Sequence, residues 1–186
     1  MVRTESSPGE LGAQAPDFEL SGVDGKIYTF ADIRGPKGAL VMFICNHCPY
    51  VRAAIARIVR DCRELAPLGI GSAAIMSNDT TAYPADSFEN MKSFSAVHDL
   101  PFPYLLDETQ AVAKAYAAVC TPDFFGCNAA GELQYQGRID SGGPGEPEPG
   151  AKRELFEAMK EIAGTGRGPA KQSPSVGCSI KWRGSG

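Results

Sequence analysis

The chain of 186 residues suffices for one domain with a sizeable core, and 43% hydrophobic and 22% charged residues are globular values that exclude a disordered or low-complexity chain. A net charge of −4 with scattered basic residues excludes the basic face that DNA or RNA requires, so nucleic acid is not an expected partner. Nothing approaches the roughly eighteen consecutive apolar residues of a membrane span, and no apolar leader opens the chain, so the expected location is cytoplasmic.

In chain order, "PDFEL" and "KIYTF" flank "SGVDG", whose Asp24-Gly25 pair suits a tight turn, so an N-terminal β-hairpin is expected. "ALVMFIC", residues 39–45, is a continuous apolar run that predicts a central strand buried on both faces. From Pro49 to Leu65, Val51, Ile55, Ile58, Val59, Cys62 and Leu65 recur every three or four residues, the stripe of an amphipathic helix with Cys62 on its core side. "IGSAAIM" predicts a second buried strand and "SFENMKSFSAVHDL" the next helix, with His98 exposed or at its C-terminal end. "FPYLLD" is a third strand, followed by "TQAVAKAYAAV", a helix opened by Thr109. "FFGCN" and "ELQYQGRID" are strands joined as a hairpin at residues 128–131. "SGGPGEPEPG" is a loop and "AKRELFEAMKEIAG" a closing helix. The strand and helix alternation predicts an α/β domain over residues 1–164, with parallel strands and right-handed crossovers. Residues 165–186 form a Gly- and Pro-rich tail whose "CSIKW" is apolar enough to dock on that domain.

Six cysteines in a cytosolic chain read as catalytic or metal-binding groups before they read as a disulfide framework. In "FICNHCPYV", Cys45 and Cys48 fall between a buried strand and a helix, where unpartnered N–H groups and the helix dipole stabilise a thiolate. Pro49 suits a first helical turn. These features assign Cys45 as nucleophile, Cys48 as the shielded resolving thiol, and His47 as an electrostatic tuner that favours the thiolate and makes the disulfide more oxidising. Two other readings stand beside this one. The cysteines pack as small apolar groups, or they form half of a zinc site, for which Cys120 and Cys127 are too widely spaced to supply the second half.

"APDFEL", "FICNHCPYV", "FPYLLDETQAVAKAYAAVCTPDFF", "YQGRID" and "PSVGCSIKW" together resemble the redoxin branch of the thioredoxin fold, in the alkyl hydroperoxide reductase and thiol-specific antioxidant superfamily. The resemblance implies a thioredoxin-like fold with a central mixed sheet flanked by helices. It also implies a cis peptide bond at Thr121-Pro122, opposite the cysteine pair, that exposes the backbone of Thr121 to an extended substrate. Thioredoxins proper carry Trp before the pair and Gly-Pro within it, where this chain has Ile44 and Asn46-His47. Peroxiredoxins carry Pro and Thr before their reactive Cys; aligned on Cys48, those positions hold Val41 and Cys45.

The expected activity is thiol-disulfide exchange, with thiol peroxidase and Cu(I) or Zn carriage as rivals. No organic cofactor is expected, since a redox-active disulfide carries the electrons. The expected partners are a disulfide-bearing or hydroperoxide substrate and a thiol reducing system. Asn46 and Phe124 are further substrate-side candidates, although Phe124 and Phe125 read first as strand core, and Tyr50 and residues 83–91 are placed around the pair by topology. Cys120 is either a third redox thiol or a small space-filling residue. Cys178 is either a resolving thiol or a bystander in the tail, and Cys127 is core. Arg138 and Asp140 are expected to pair with each other or to orient the site.

Overall fold

Six consecutive residues that all leave water can be satisfied only inside a sheet covered on both faces. The computed structural model, which describes residues 3–7, 9–143, 145 and 148–184, puts "GALVMF" in that place. The elements are β1 (Arg3–Glu5), β2 (Glu19–Gly22), β3 (Ile27–Thr29), the short α1 (Phe30–Ile33), β4 (Gly38–Phe43), α2 (Pro49–Leu65) and β5 (Ile70–Met76). They continue with α3 (Phe88–Val97), β6 (Tyr104–Leu106), α4 (Ala111–Ala115), β7 (Cys120–Thr121), β8 (Asp123–Asn128), β9 (Leu133–Gly137), α5 (Glu154–Thr165) and β10 (Val176–Ser179). A 3-10 turn at Pro84–Asp86 precedes α3.

The strands β3, β2, β6 and β5 lie side by side, and β4, β8 and β9 continue the same sheet. The two groups meet where Ile44 N–H donates to Ile75 O (3.0 Å). Strands β5 and β6 run parallel, whereas β2 with β3, β2 with β6, β4 with β8 and β8 with β9 are antiparallel. The sheet is therefore mixed. The wholly parallel sheet that alternation alone predicts is not formed, because tight hairpins open and close the run; Gly25, at φ +82°, makes the first turn where a side chain would be strained. Alternate residues of β4 feed two cores. Leu40 and Met42 pack with Ile58 and Leu65 of α2 and Met159 and Ile162 of α5. Ala39, Val41 and Phe43 pack on the opposite face with Phe30, Val112, Tyr116 and Phe125.

Two elements depart from expectation. α4 opens at Ala111 and ends at Ala115, shorter than "TQAVAKAYAAV" predicts. Gln110, not Thr109, is its N-cap, held at φ +64° by bonds from its Nε2 to Ser77 O (2.7 Å) and Lys181 O (2.8 Å). The tail also forms a second sheet: β10 pairs antiparallel with β7 on one side and with β1 on the other. Nothing in the three residues of β1 signals a strand, which exists because β10 offers it an edge.

Candidate functional site

The turn from β4 into α2 brings Cys45 and Cys48 beside Thr121, and both thiols are buried, 1% and 0% exposed. The Sγ of Cys45 lies 3.4 Å from Thr121 Oγ1, and the Cys48 thiol is positioned to donate to Thr121 O at 3.3 Å. The Thr121-Pro122 peptide bond is cis. A third sulfur comes from the tail: Cys178 Sγ, on β10, sits 2.9 Å from Cys48 Sγ.

Helix α2 begins at Pro49, so Cys48, not Cys45, is its N-cap. The helix end therefore acts on Cys48. Hydrogen bonding from the Cys45 thiol pulls the Cys48 pKa down, burial opposes this, and the Cys178 thiol and Val51 N–H add to the lowering. Cys45 moves the other way. Its hydrogen bond to Cys48 raises it first, then burial, then the nearby Asp86 carboxylate. Burial raises the thiols of Cys178, Cys120, Cys62 and Cys127 as well, the last two to about 12.

Asp86, in the 3-10 turn after β5, organises the other side. Its fully buried carboxylate accepts from Asn46 N–H (2.8 Å) and from Asn78 Nδ2 (2.8 Å), and it is 2.6 Å from His47 Nδ1. His47 stacks on Tyr83 with ring centroids 5.7 Å apart, so its ring is committed to Asp86 and Tyr83. Cys45, His47 and Asp86 offer ligand atoms within 4.8 Å of one another, but the Asp86 oxygens already take three hydrogen-bond partners. Sequence reasoning reached this segment but not Asp86 itself, because a carboxylate in "YPADSFENM" gives no local sign of burial.

Several expected placements need correction. Asn46 is buried and engaged: its Nδ2 donates to Ala85 O (3.1 Å) and its Oδ1 accepts from Tyr104 OH (2.9 Å), so its side chain braces the turn. The backbone of Thr121 is not free for an incoming strand, because β10 is paired there, with Cys178 opposite Thr121. Arg138 and Asp140 do not pair with each other. Arg138 holds Glu154 of α5 through Nε and Nη2 (2.8 and 2.9 Å), and Asp140 takes the buried Arg57 (2.6 Å). Each is taken by a different helix, Arg138 by Glu154 of α5 and Asp140 by Arg57 of α2.

Phe124 and Phe125 are both core residues, and Phe124 also walls a cavity of about 210 Å³ with Tyr50, Ala54, Arg57, Pro122 and Ile139. The Cys120 sulfur lies 3.9 Å from Pro122 O, and His98 caps the C-terminal end of α3. Asp123, which sequence reasoning missed, follows Pro122 with Oδ2 lacking a hydrogen-bond partner among the described residues; burial raises its carboxyl to about 7.

Residues 11–139 match the AhpC/TSA family. The chain belongs to that family. This AhpC/TSA protein is 42% identical to an uncharacterised conserved protein from Geobacillus kaustophilus, whose crystal structure superimposes with a TM-score of 0.94 over 100% of this chain and 99% of that one. A hypothetical protein from Sinorhizobium meliloti is 35% identical, with a TM-score of 0.92 over 97% of this chain and 99% of that one. The thiol-disulfide oxidoreductase ResA of Geobacillus thermodenitrificans is 25% identical over 138 residues, 70% of this chain and 71% of ResA. The architecture of this AhpC/TSA protein is the thioredoxin fold: a mixed central sheet, helices on both faces, and a cis proline beside the strand-to-helix turn. No helix among the described residues is long and apolar enough to cross a membrane.

Proposed function

We propose that this AhpC/TSA protein is a thiol-disulfide oxidoreductase in which Cys48 is the attacking thiolate and Cys45 its resolving thiol. The observation that carries the reading is the place of Cys48 at the N-cap of a 17-residue helix, where the dipole favours a charged sulfur and the Cys45 thiol lowers its pKa. This reverses the roles that spacing alone suggests, since the dipole falls on the second cysteine. The similarity to ResA, a thiol-disulfide oxidoreductase, supports the same reaction class.

Attack of the Cys48 thiolate on a substrate disulfide forms a mixed disulfide and releases one substrate thiolate, which takes up a proton from solvent. Cys45 then loses its proton and attacks the Cys48 sulfur, forming the Cys45–Cys48 disulfide and releasing the second substrate thiol. Two electrons pass to the substrate, and a cellular dithiol returns them by the reverse exchanges. Sulfur alone carries the electrons, so no organic cofactor enters. A thiolate at the helix N-terminus is also the group that a hydroperoxide would oxidise to a sulfenic acid, so membership of the AhpC/TSA family favours peroxidase activity as the second reading.

The deciding experiment traps the mixed disulfide with glutathione disulfide. Cys45→Ser/Cys178→Ala should hold the adduct on Cys48, whereas Cys48→Ser should show no adduct at Cys45. An adduct at Cys45 in Cys48→Ser at the wild-type rate would overturn the assignment. Stopped-flow oxidation of the reduced protein by hydrogen peroxide separates the second reading, which is lost if the rate is no better than that of a free thiol.

A further inference from the structure

We propose that Cys178 is a third redox thiol: the tail strand β10 occupies the place of a substrate strand and presents a second resolving sulfur to Cys48. The proposal rests on the reading of Cys48 as the attacking thiolate, and it adds a disulfide, Cys48–Cys178, that closes a loop of chain between α2 and the tail.

Three observations carry it. The sulfurs of Cys48 and Cys178 are 2.9 Å apart, nearer than two unbonded sulfurs pack, and about 0.9 Å from the bonded separation of about 2.05 Å. The approach is set by main chain. Cys178 pairs with Thr121 on one side and with Arg3 on the other, so a slip of one residue would turn its side chain to the opposite face. Gly177, next to it, lies flush on the cis-proline loop, where a Cβ would come 2.0 Å from Thr121 O, so the strand comes this close only because Gly177 has no side chain.

The edge used is also the one an extended substrate would need. An extended partner binds an exposed strand edge by main-chain pairing. Here β10 takes that pairing and carries a cysteine opposite Thr121, as a bound disulfide substrate would. The tail is anchored beyond the site: Ile180 N–H donates to Val119 O (2.9 Å), Lys181 N–H to Asn78 Oδ1 (2.9 Å) and Arg183 N–H to Gln110 Oε1 (2.8 Å). These bonds hold Cys178, 2% exposed, within the same buried sulfur cluster.

The chemistry balances with the disulfide oxidant already named. Cys48 thiolate attacks a substrate disulfide and expels one thiolate. Cys178, losing its proton, attacks Cys48 in the mixed disulfide, forms the Cys48–Cys178 bond and releases the second substrate thiol. Two protein thiols are oxidised and one substrate disulfide is reduced. Cys45 can then attack Cys48, expelling the Cys178 thiolate and forming Cys45–Cys48, with no further change in oxidation state.

The test treats the full-length protein with glutathione disulfide, quenches it with an alkylating reagent, and maps linked peptides by mass spectrometry. Wild type should yield both Cys45–Cys48 and Cys48–Cys178 links. Cys45→Ser should lose its glutathione adduct and form the Cys48–Cys178 link, while Cys45→Ser/Cys178→Ala should retain glutathione on Cys48. A persistent adduct on Cys48 of Cys45→Ser, with Cys178 still alkylated, overturns the proposal while leaving Cys48 as the thiolate. An adduct on no variant's Cys48 overturns both readings. Mapping in wild type needs no substitution, so a variant that fails to fold does not remove the test.

Discussion

Cys62 and Cys48 lie on one helix and both are buried, yet they are opposite kinds of sulfur. Cys62, nearly four turns along α2, touches the Met42 sulfur at 4.0 Å and is pushed up to about 12 by burial. Cys48, at the end where backbone N–H groups lack partners, is pulled down by thiol and amide donors despite the same loss of water. Burial therefore does not decide whether a cysteine is inert. Donors aimed at the sulfur do, and they come from a helix terminus and from neighbouring thiols.

The largest effect should come from exchanging these two roles. Cys48→Ala should abolish disulfide exchange, while Cys62→Ala should leave its rate within about twofold and cost stability through lost packing. A Cys62→Ala variant without activity but with wild-type fold would break the comparison. Asp86→Ala attacks the scaffold of the reactive end: three hydrogen-bond partners lose a buried carboxylate, at a cost of about 3 kcal/mol in chemical denaturation. Removing that charge should also lower the Cys45 pKa, which the thiolate ultraviolet absorbance reports.

Asp123→Asn sharpens the same point for a carboxyl. Its folded-state value, about 7, lies above its ordinary 3.8, so folding binds a proton, and the cost is absent in acid, grows as pH rises, and is complete above about pH 7. The variant should therefore gain up to about 4 kcal/mol over wild type at neutral pH and nothing near pH 3. An unchanged difference across that window would refute the burial argument. The smallest effect should be that of His47→Ala. Because the ring is held by Asp86 and Tyr83, the reduction potential of the cysteine pair should move by less than about 30 mV. A larger shift, read in glutathione buffers, would restore His47 as a direct tuner of the sulfurs.

What the sequence discloses here is local. "IGSAAIM" is β5 residue for residue, and the stripe from Val51 to Leu65 is the buried face of α2, because apolar runs and helical spacing are written in consecutive residues. The C-x-x-C pair and Thr121-Pro122 are legible for the same reason. Asp86 is not, since Asn46 and His47 bond it from 40 and 39 positions away and nothing nearby marks it as buried, and Cys178 stays two-sided in sequence because the sulfur it meets lies 130 positions away. The length of α4 was hidden likewise: Gln110 is held at its cap partly by the carbonyl of Lys181, which the tail delivers from 71 positions downstream.

That separation also gives the molecule a history. In synthesis from the N-terminus, the sheet and α2 are complete before β10 emerges, so the reactive sulfur passes through an interval with its surroundings folded and its cover absent. At about 5–20 residues per second that interval lasts seconds. During translation, then, the nascent protein meets passing thiols and disulfides without the competing sulfur of Cys178, and the final strand brings that competitor into place.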